Sequence, residues 1–146
     1  MIRVKTSVTI DRPIGDVFAY VSEPRNFPAW NSAVDDVRPL SLGGPEVGSI
    51  YAMRRQLPTG RAANRVEIVV RNPPLEFAIR TTSGPTPFLH RYRFIVDHAM
   101  TVVEFGGDVD LPSVAGIAAQ FLRRGVDHNL ATLKLILEAD AAMPAA

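Results

Sequence analysis

The sequence predicts an α+β fold: a seven-stranded antiparallel sheet, two short helices between its first and second strands, and one long C-terminal helix. Three observations predict it. Near the N-terminus, Ser7-Val8-Thr9-Ile10 alternates polar and apolar, and Ile14, Val17, Phe18 and Val21 then recur at helical spacing. Across the middle of the chain, short alternating runs are separated by clusters of Gly, Pro and Asn. Such tight connections join antiparallel strands, because parallel strands need long crossovers. Last, Leu122, Val126, Leu130, Leu133 and Leu137 form a stripe, broadened by Ile117, Phe121 and Ile136.

Each element follows from its own residues. Strand one covers residues 3–11, with Val4, Val8 and Ile10 on one face. Asp11 can accept backbone N–H bonds at a helix start, and Pro13 fits a first turn. The helix at 13–22 ends at Glu23-Pro24, because the residue before proline is pushed out of helical geometry. A second short helix covers 24–29, and strand two covers 33–39. Strands three to seven are expected at 49–57, 61–71, 75–82, 88–96 and 101–111. Their turns are Pro58-Thr59-Gly60, Asn72-Pro73-Pro74, residues 83–87 and Asp97-His98-Ala99-Met100. The terminal helix starts near Pro112-Ser113 and runs to about Ala141, interrupted by Gly125. It carries too much apolar surface for a solvated helix and must lie against the sheet.

Composition narrows the function. A chain of 146 residues reads as one domain. With no cysteine there is no disulfide, thiolate nucleophile or cysteine-ligated metal. Sixteen Lys+Arg against fifteen Asp+Glu give a net charge of +1, which supplies no electrostatic case for nucleic acid or an anionic membrane. The start, Met1-Ile2-Arg3-Val4-Lys5, lacks an apolar signal core, and no apolar run approaches a membrane span. The expectation is a cytoplasmic protein with no membrane insertion and no nucleic-acid partner. A homodimer is compatible with the sequence, which leaves the oligomeric state open.

The order strand, Pro13 corner, helix, Asn26-Phe27-Pro28-Ala29-Trp30, strand-rich body and final helix resembles the START-like, or Bet v 1-like (SRPBCC), superfamily. Within it, the chain resembles the small bacterial proteins of polyketide cyclase/dehydrase type. The resemblance runs from about Val4 to Glu138 and carries no catalytic signature. It implies a helix-grip fold, a sheet wrapped around the long helix with a cavity between them. It also implies a hydrophobic small-molecule ligand (lipid-like, polyketide or isoprenoid), and places residues 26–31 at the cavity mouth.

Alternation along the strands assigns side chains to the inner face. Exposed Arg91 and Arg93 put His90, Tyr92 and Phe94 inside. The same argument turns Val66, Ile68 and Val70 inward, with Phe77, Ile79, Val103 and Phe105. On strand three, Tyr51 and Met53 face in and carry Arg55 with them, unless a bulge exchanges Arg54 and Arg55. The candidate ligand-binding set is Tyr51, Met53, Ile68, Phe77, Ile79, His90, Tyr92, Phe94 and Phe105, completed by Ile117 and Phe121 from the helix. A filled core would need the same residues.

Two functions compete for this set. One is a binding or carrier protein without chemistry. The other is a cyclase/dehydrase-type enzyme in which His90 and Tyr92, two apart on one strand face, act as acid and base on an enolisable carbonyl. The bland alternative for the pair is a core tyrosine and a histidine at a sheet end. His98 reads as a solvated turn residue and His128 as a helix flank. With no His-Glu-x-x-His and no cysteine, no metal and no cofactor are expected. Asp108 and Asp110 share the outward parity of Glu104, and Asp35-Asp36 read as surface charge. Arg54-Arg55 and Arg123-Arg124 are isolated doublets rather than a nucleic-acid stripe. Trp30 reads as a packing anchor.

Overall fold

The computed structural model describes residues 1–57, 60–110 and 117–142, with side chains described up to residue 139. The elements are β1 (Ile2–Ile10), α1 (Ile14–Val21), a 3-10 turn (Pro24–Asn26), α2 (Phe27–Trp30), β2 (Val34–Pro39), β3 (Ile50–Leu57), β4 (Gly60–Asn72), β5 (Glu76–Ser83), β6 (Phe88–Asp97), β7 (Met100–Val109) and α3 (Ile117–Ala142). The strands form one antiparallel sheet in the order β1-β7-β6-β5-β4-β3-β2. This is the expected meander with its ends joined: the first strand pairs with the last, so β1 and β2 lie at opposite edges. The expected start of α3, near Pro112-Ser113, lies outside the described residues.

The helix α3 lies chiefly along β1 and also touches α2. Its direction follows from three contacts. The Thr6 hydroxyl donates to Asp127, Lys134 Nζ donates to the Thr9 carbonyl at 2.6 Å, and the Asp11 backbone N–H donates to Glu138 Oε2 at 2.9 Å. From Asp127 to Glu138 a helix rises about 16 Å, and from Thr6 to Asp11 a strand rises about the same. The two elements therefore run side by side in step, and Ile117 falls level with the start of β1. Leu130, Leu133 and Leu137 are buried, and Leu122, Val126 and Ile136 are partly buried against the same core. Ile117 and Phe121 do not broaden that stripe. They are 70% and 66% exposed, because they belong to the early turns of α3, on a flank turned away from the sheet.

The corner between β1 and α1 is built differently from the expectation. Asp11 does not cap α1: Pro13 occupies the N-cap position and no side chain caps it. The Asp11 amide is taken by Glu138 of α3 instead. The helix begins because the Pro13 carbonyl accepts from the amides of Asp16 and Val17, at 3.1 and 3.2 Å. Arg12 then braces the corner, pairing with Asp16 at 2.9 Å and donating to the Leu137 carbonyl at 2.8 Å. Among the described residues, no helix is long and apolar enough to cross a membrane.

Candidate functional site on the inner sheet face

The strand alternation places Tyr51, Met53, Ile68, Phe77, Ile79, Tyr92, Phe94 and Phe105 on one concave face, all buried. Val66 and Val103 share that face and are fully buried. Aromatic rings form a row across it. The Phe88 and His90 rings lie 4.2 Å apart, His90 and Phe105 5.1 Å, Tyr92 and Phe105 5.3 Å, and Phe77 and Tyr92 6.0 Å. Phe27 and Trp30 of α2 close over this row: Phe27 packs on Phe77, and Trp30 meets Tyr92 edge-on at 6.1 Å. Trp30 thus anchors α2 in the core, and its indole N–H is buried without a partner among the described residues. At the far end Phe18 of α1 packs edge-on against Phe94.

One inward assignment fails. Val70 is exposed and Arg71 faces in, because β4 carries a bulge between Ile68 and Val70. The extra residue reverses the alternation, so that Arg71 pairs with the buried Phe77. Its guanidinium sits 5.3 Å from the Phe18 ring, with Nε buried and unpartnered among the described residues. Beside it, burial raises the Tyr51 phenol pKa, and the Glu23 carboxylate adds to that.

Arg55 does face inward. The irregularity at this edge sits on β2, between Val34 and Asp36, so the alternation of β3 is intact. Arg55 Nη1 donates to Asn64 Oδ1 at 3.0 Å and to the Thr86 carbonyl at 3.1 Å, and its guanidinium lies 4.7 Å from the Phe88 ring centroid. Asn64, one alternation before Val66, is buried and donates Nδ2 to the carbonyls of Ser83 and Pro85 at 3.0 and 2.9 Å. The loop between β5 and β6 is thereby fastened to the inner face. Gly84 has φ +97°, and a Cβ there would run into the Ala63 carbonyl oxygen, so glycine is required. Asn64 was legible from parity alone, as a polar residue in an apolar series, but its role needs the returning loop.

His90 and Tyr92 point to the same interior. Neither has a hydrogen-bond partner among the described residues. Burial, with the Arg55 charge adding to it, holds the His90 pKa down to about 3. Burial alone pushes the Tyr92 phenol far up. Both side chains are therefore electrically neutral around pH 7. Gly107 lies beside them, and a Cβ there would come within 2.8 Å of the Phe105 ring and 3.4 Å of His90 Cδ2.

Other polar candidates sit elsewhere. His98 is in an exposed turn at φ +56°, within 2.9 Å of Asp97, and His128 is exposed on α3. Asp108 faces out and pairs with Arg3 and Arg91, while Asp110 is exposed. Asp35 and Asp36 line an open surface cleft of about 500 Å³ with Arg54 and Arg61. Among the described residues no cluster of His, Asp and Glu could hold a metal ion. Asn129, not singled out from the sequence, accepts from the Ser32 amide and hydroxyl at 3.1 and 3.3 Å and donates to Asn31 Oδ1 at 3.1 Å, tying α3 to the end of α2.

Comparison with known proteins agrees with this architecture. Residues 1–138 match the family model described as polyketide cyclase / dehydrase and lipid transport. Among solved structures, a START superfamily protein from Mycobacterium smegmatis is 12% identical, with 94% of this chain and 97% of that chain covered and a TM-score of 0.79. A Thermus thermophilus protein is also 12% identical, with 96% and 99% covered and a TM-score of 0.79. Ginseng major latex-like protein 151 from Panax ginseng is 12% identical, with 92% and 96% covered and a TM-score of 0.71. At these identities the likeness shows the START/Bet v 1 helix-grip fold. No curated protein matches the chain.

Proposed function

The chain belongs to the polyketide cyclase / dehydrase and lipid transport family, and on that premise we propose that it binds and carries a hydrophobic small molecule. The ligand lies against the concave sheet face, in the space that α3 encloses. The observation that carries this reading is the aromatic row from Phe88 to Phe77, broken only by the unpaired polar tips of His90 and Tyr92. Apolar lining with a few orienting polar groups is the composition of a small-molecule pocket.

Carriage is favoured over a cyclase or dehydrase step by the state of the two proton-transfer candidates. A general acid or base works best with a pKa near the working pH. His90 is held near 3, and Tyr92 is displaced in the opposite direction. Among the described residues, neither touches a carboxylate that would reverse the shift. The test is titration with the neutral apolar fluorophore N-phenyl-1-naphthylamine. Saturable binding at low micromolar affinity, displaced by a long-chain alcohol and abolished when Met53→Trp fills the inner face of a still-folded protein, is the expected result. A lack of saturable binding, or binding indifferent to Met53→Trp, would overturn the reading.

A further inference from the structure

Arg55 carries a positive charge towards the interior. It is largely withdrawn from water, and burial lowers its pKa. No Asp or Glu pairs with it among the described residues. Its only partners there are the Asn64 amide oxygen, the Thr86 carbonyl and the face of Phe88. Both hydrogen bonds use the same nitrogen, Nη1. The opposite edge of the guanidinium, formed by Nε and Nη2, has no partner among the described residues.

That edge presents two parallel N–H donors, the fork that matches the two oxygens of a carboxylate. It is also held in place. Asn64 is pinned by Ser83 and Pro85, and it pins Nη1 in turn, while Phe88 supports the guanidinium from one side. A donor pair fixed before the ligand arrives loses little freedom on binding. Holding the loop alone would not call for this arrangement, since one donor nitrogen suffices and a lysine ammonium would supply it.

We propose that the Nε/Nη2 edge of Arg55 seats the carboxylate of an amphipathic carboxylic acid whose apolar body lies along the row from Phe88 to Tyr92. This names the ligand class of the pocket and rests on the carrier reading above. A monoanion fits better than a phosphate ester. Arg55 is a single charge with one free edge, and the other inward arginine, Arg71, sits beside Phe18 at the opposite end of the face. The neutral His90 ring, next along the row, can donate one further hydrogen bond to the same head group.

The test compares dodecanoate, dodecanol and dodecyl phosphate as competitors of bound N-phenyl-1-naphthylamine near neutral pH. Dodecanoate should compete at a concentration about tenfold or more below dodecanol, the advantage of charge-assisted hydrogen bonds, and dodecyl phosphate should not surpass it. Arg55→Met should remove that advantage, so that dodecanoate no longer competes better than dodecanol in the same variant, and Arg55→Lys should keep part of it. A second measurement uses the unaltered protein and does not depend on a variant folding. The carbon-13 carboxyl resonance of bound, labelled dodecanoate should titrate at least about one pH unit below the free acid. Equal competition by acid and alcohol, tightest binding by the phosphate, or an unshifted or raised carboxyl midpoint would each overturn the assignment while leaving an apolar carrier. Failure of the probe and all three competitors to bind would overturn both readings.

Discussion

Acidification from pH 7 to pH 5 should destabilise this fold through His90 more than through any surface histidine. The ring lies between Phe88 and Phe105, at 4.2 and 5.1 Å, with the Arg55 charge nearby, and its pKa is held down to about 3. In the unfolded chain the same imidazole titrates near 6.5. The native state therefore refuses a proton that the unfolded state accepts. Stability from this group is complete above about pH 6.5, falls as the pH drops from there towards about 3, and levels off below. Between pH 7 and pH 5 the full shift corresponds to about 2 kcal/mol. His90 also keeps some accessible surface, which softens the burial, so we expect about 1–2 kcal/mol. The assay is urea unfolding at both pH values for the wild type and His90→Gln. His98 and His128 are present in both proteins and cancel in the difference. An equal loss in both proteins would refute the reasoning, as would an imidazole resonance showing His90 protonating near pH 6.5.

Four further outcomes follow from named contacts. Leu133→Ala and Leu130→Ala, at 0% and 2% exposure, should each cost about 2–5 kcal/mol in chemical denaturation, and losses below about 1 kcal/mol at both would misplace the stripe. Gly107→Ala should cost about 1–3 kcal/mol, because the new Cβ meets the buried Phe105 ring, and a neutral substitution would mean that ring is free to move. Tyr92→Phe should change unfolding stability little and lower ligand affinity by about 0.5–1.5 kcal/mol, measured by calorimetry. Glu138→Gln should lower the melting temperature at neutral pH. Its carboxylate pKa is depressed by Lys134 and the Asp11 amide, so its contribution is present above the ordinary glutamate range and lost as the pH falls through the depressed value. The gap between variant and wild type should therefore close in acid.

Where one rule decides the outcome, the sequence was readable. Period-two alternation placed Tyr51, Met53, Phe77, Tyr92, Phe94 and Phe105 inside because β3, β5, β6 and β7 continue without interruption through those positions. It failed at Val70 and Arg71 because a bulge is one residue of slack that nothing in Glu67-Ile68-Val69-Val70-Arg71 announces. The helical stripe gave Leu130, Leu133 and Leu137, where α3 meets the sheet, and overreached at Ile117 and Phe121. Periodicity describes the helix alone, and how far each turn remains covered depends on where the sheet lies. Asp11 was misread because α1 starts at Ile14, which puts Pro13, without a side-chain acceptor, at the N-cap position. The polar site was half legible. Parity supplied Arg55 and His90, but the latch needs Asn64 from β4 and Gly84 and Thr86 from the loop between β5 and β6.

The polar groups of the inner face differ in what they leave unfinished, and this difference points to the ligand. Asn129 and Thr101 are buried and engaged: Asn129 bonds to Ser32 and Asn31, and the Thr101 hydroxyl donates to the Arg12 carbonyl at 2.8 Å. Such groups fix one element against another, and removing a partner would leave a costly orphan. Asn64 is of the same kind, with both ends of its amide engaged. Arg55, His90 and Tyr92 are different, for each brings a donor to the concave face without a complete set of protein partners. They also lie in order along the aromatic row, from the loop end towards the middle of the sheet. A core built only for stability would gain by exchanging them for apolar residues of similar size. Their placement beside Phe88, Phe105 and Phe77 suits a molecule with an acceptor group at one end and an apolar body behind it. Under the proposed carrier function, the latched Arg55 is the group that would orient such a molecule.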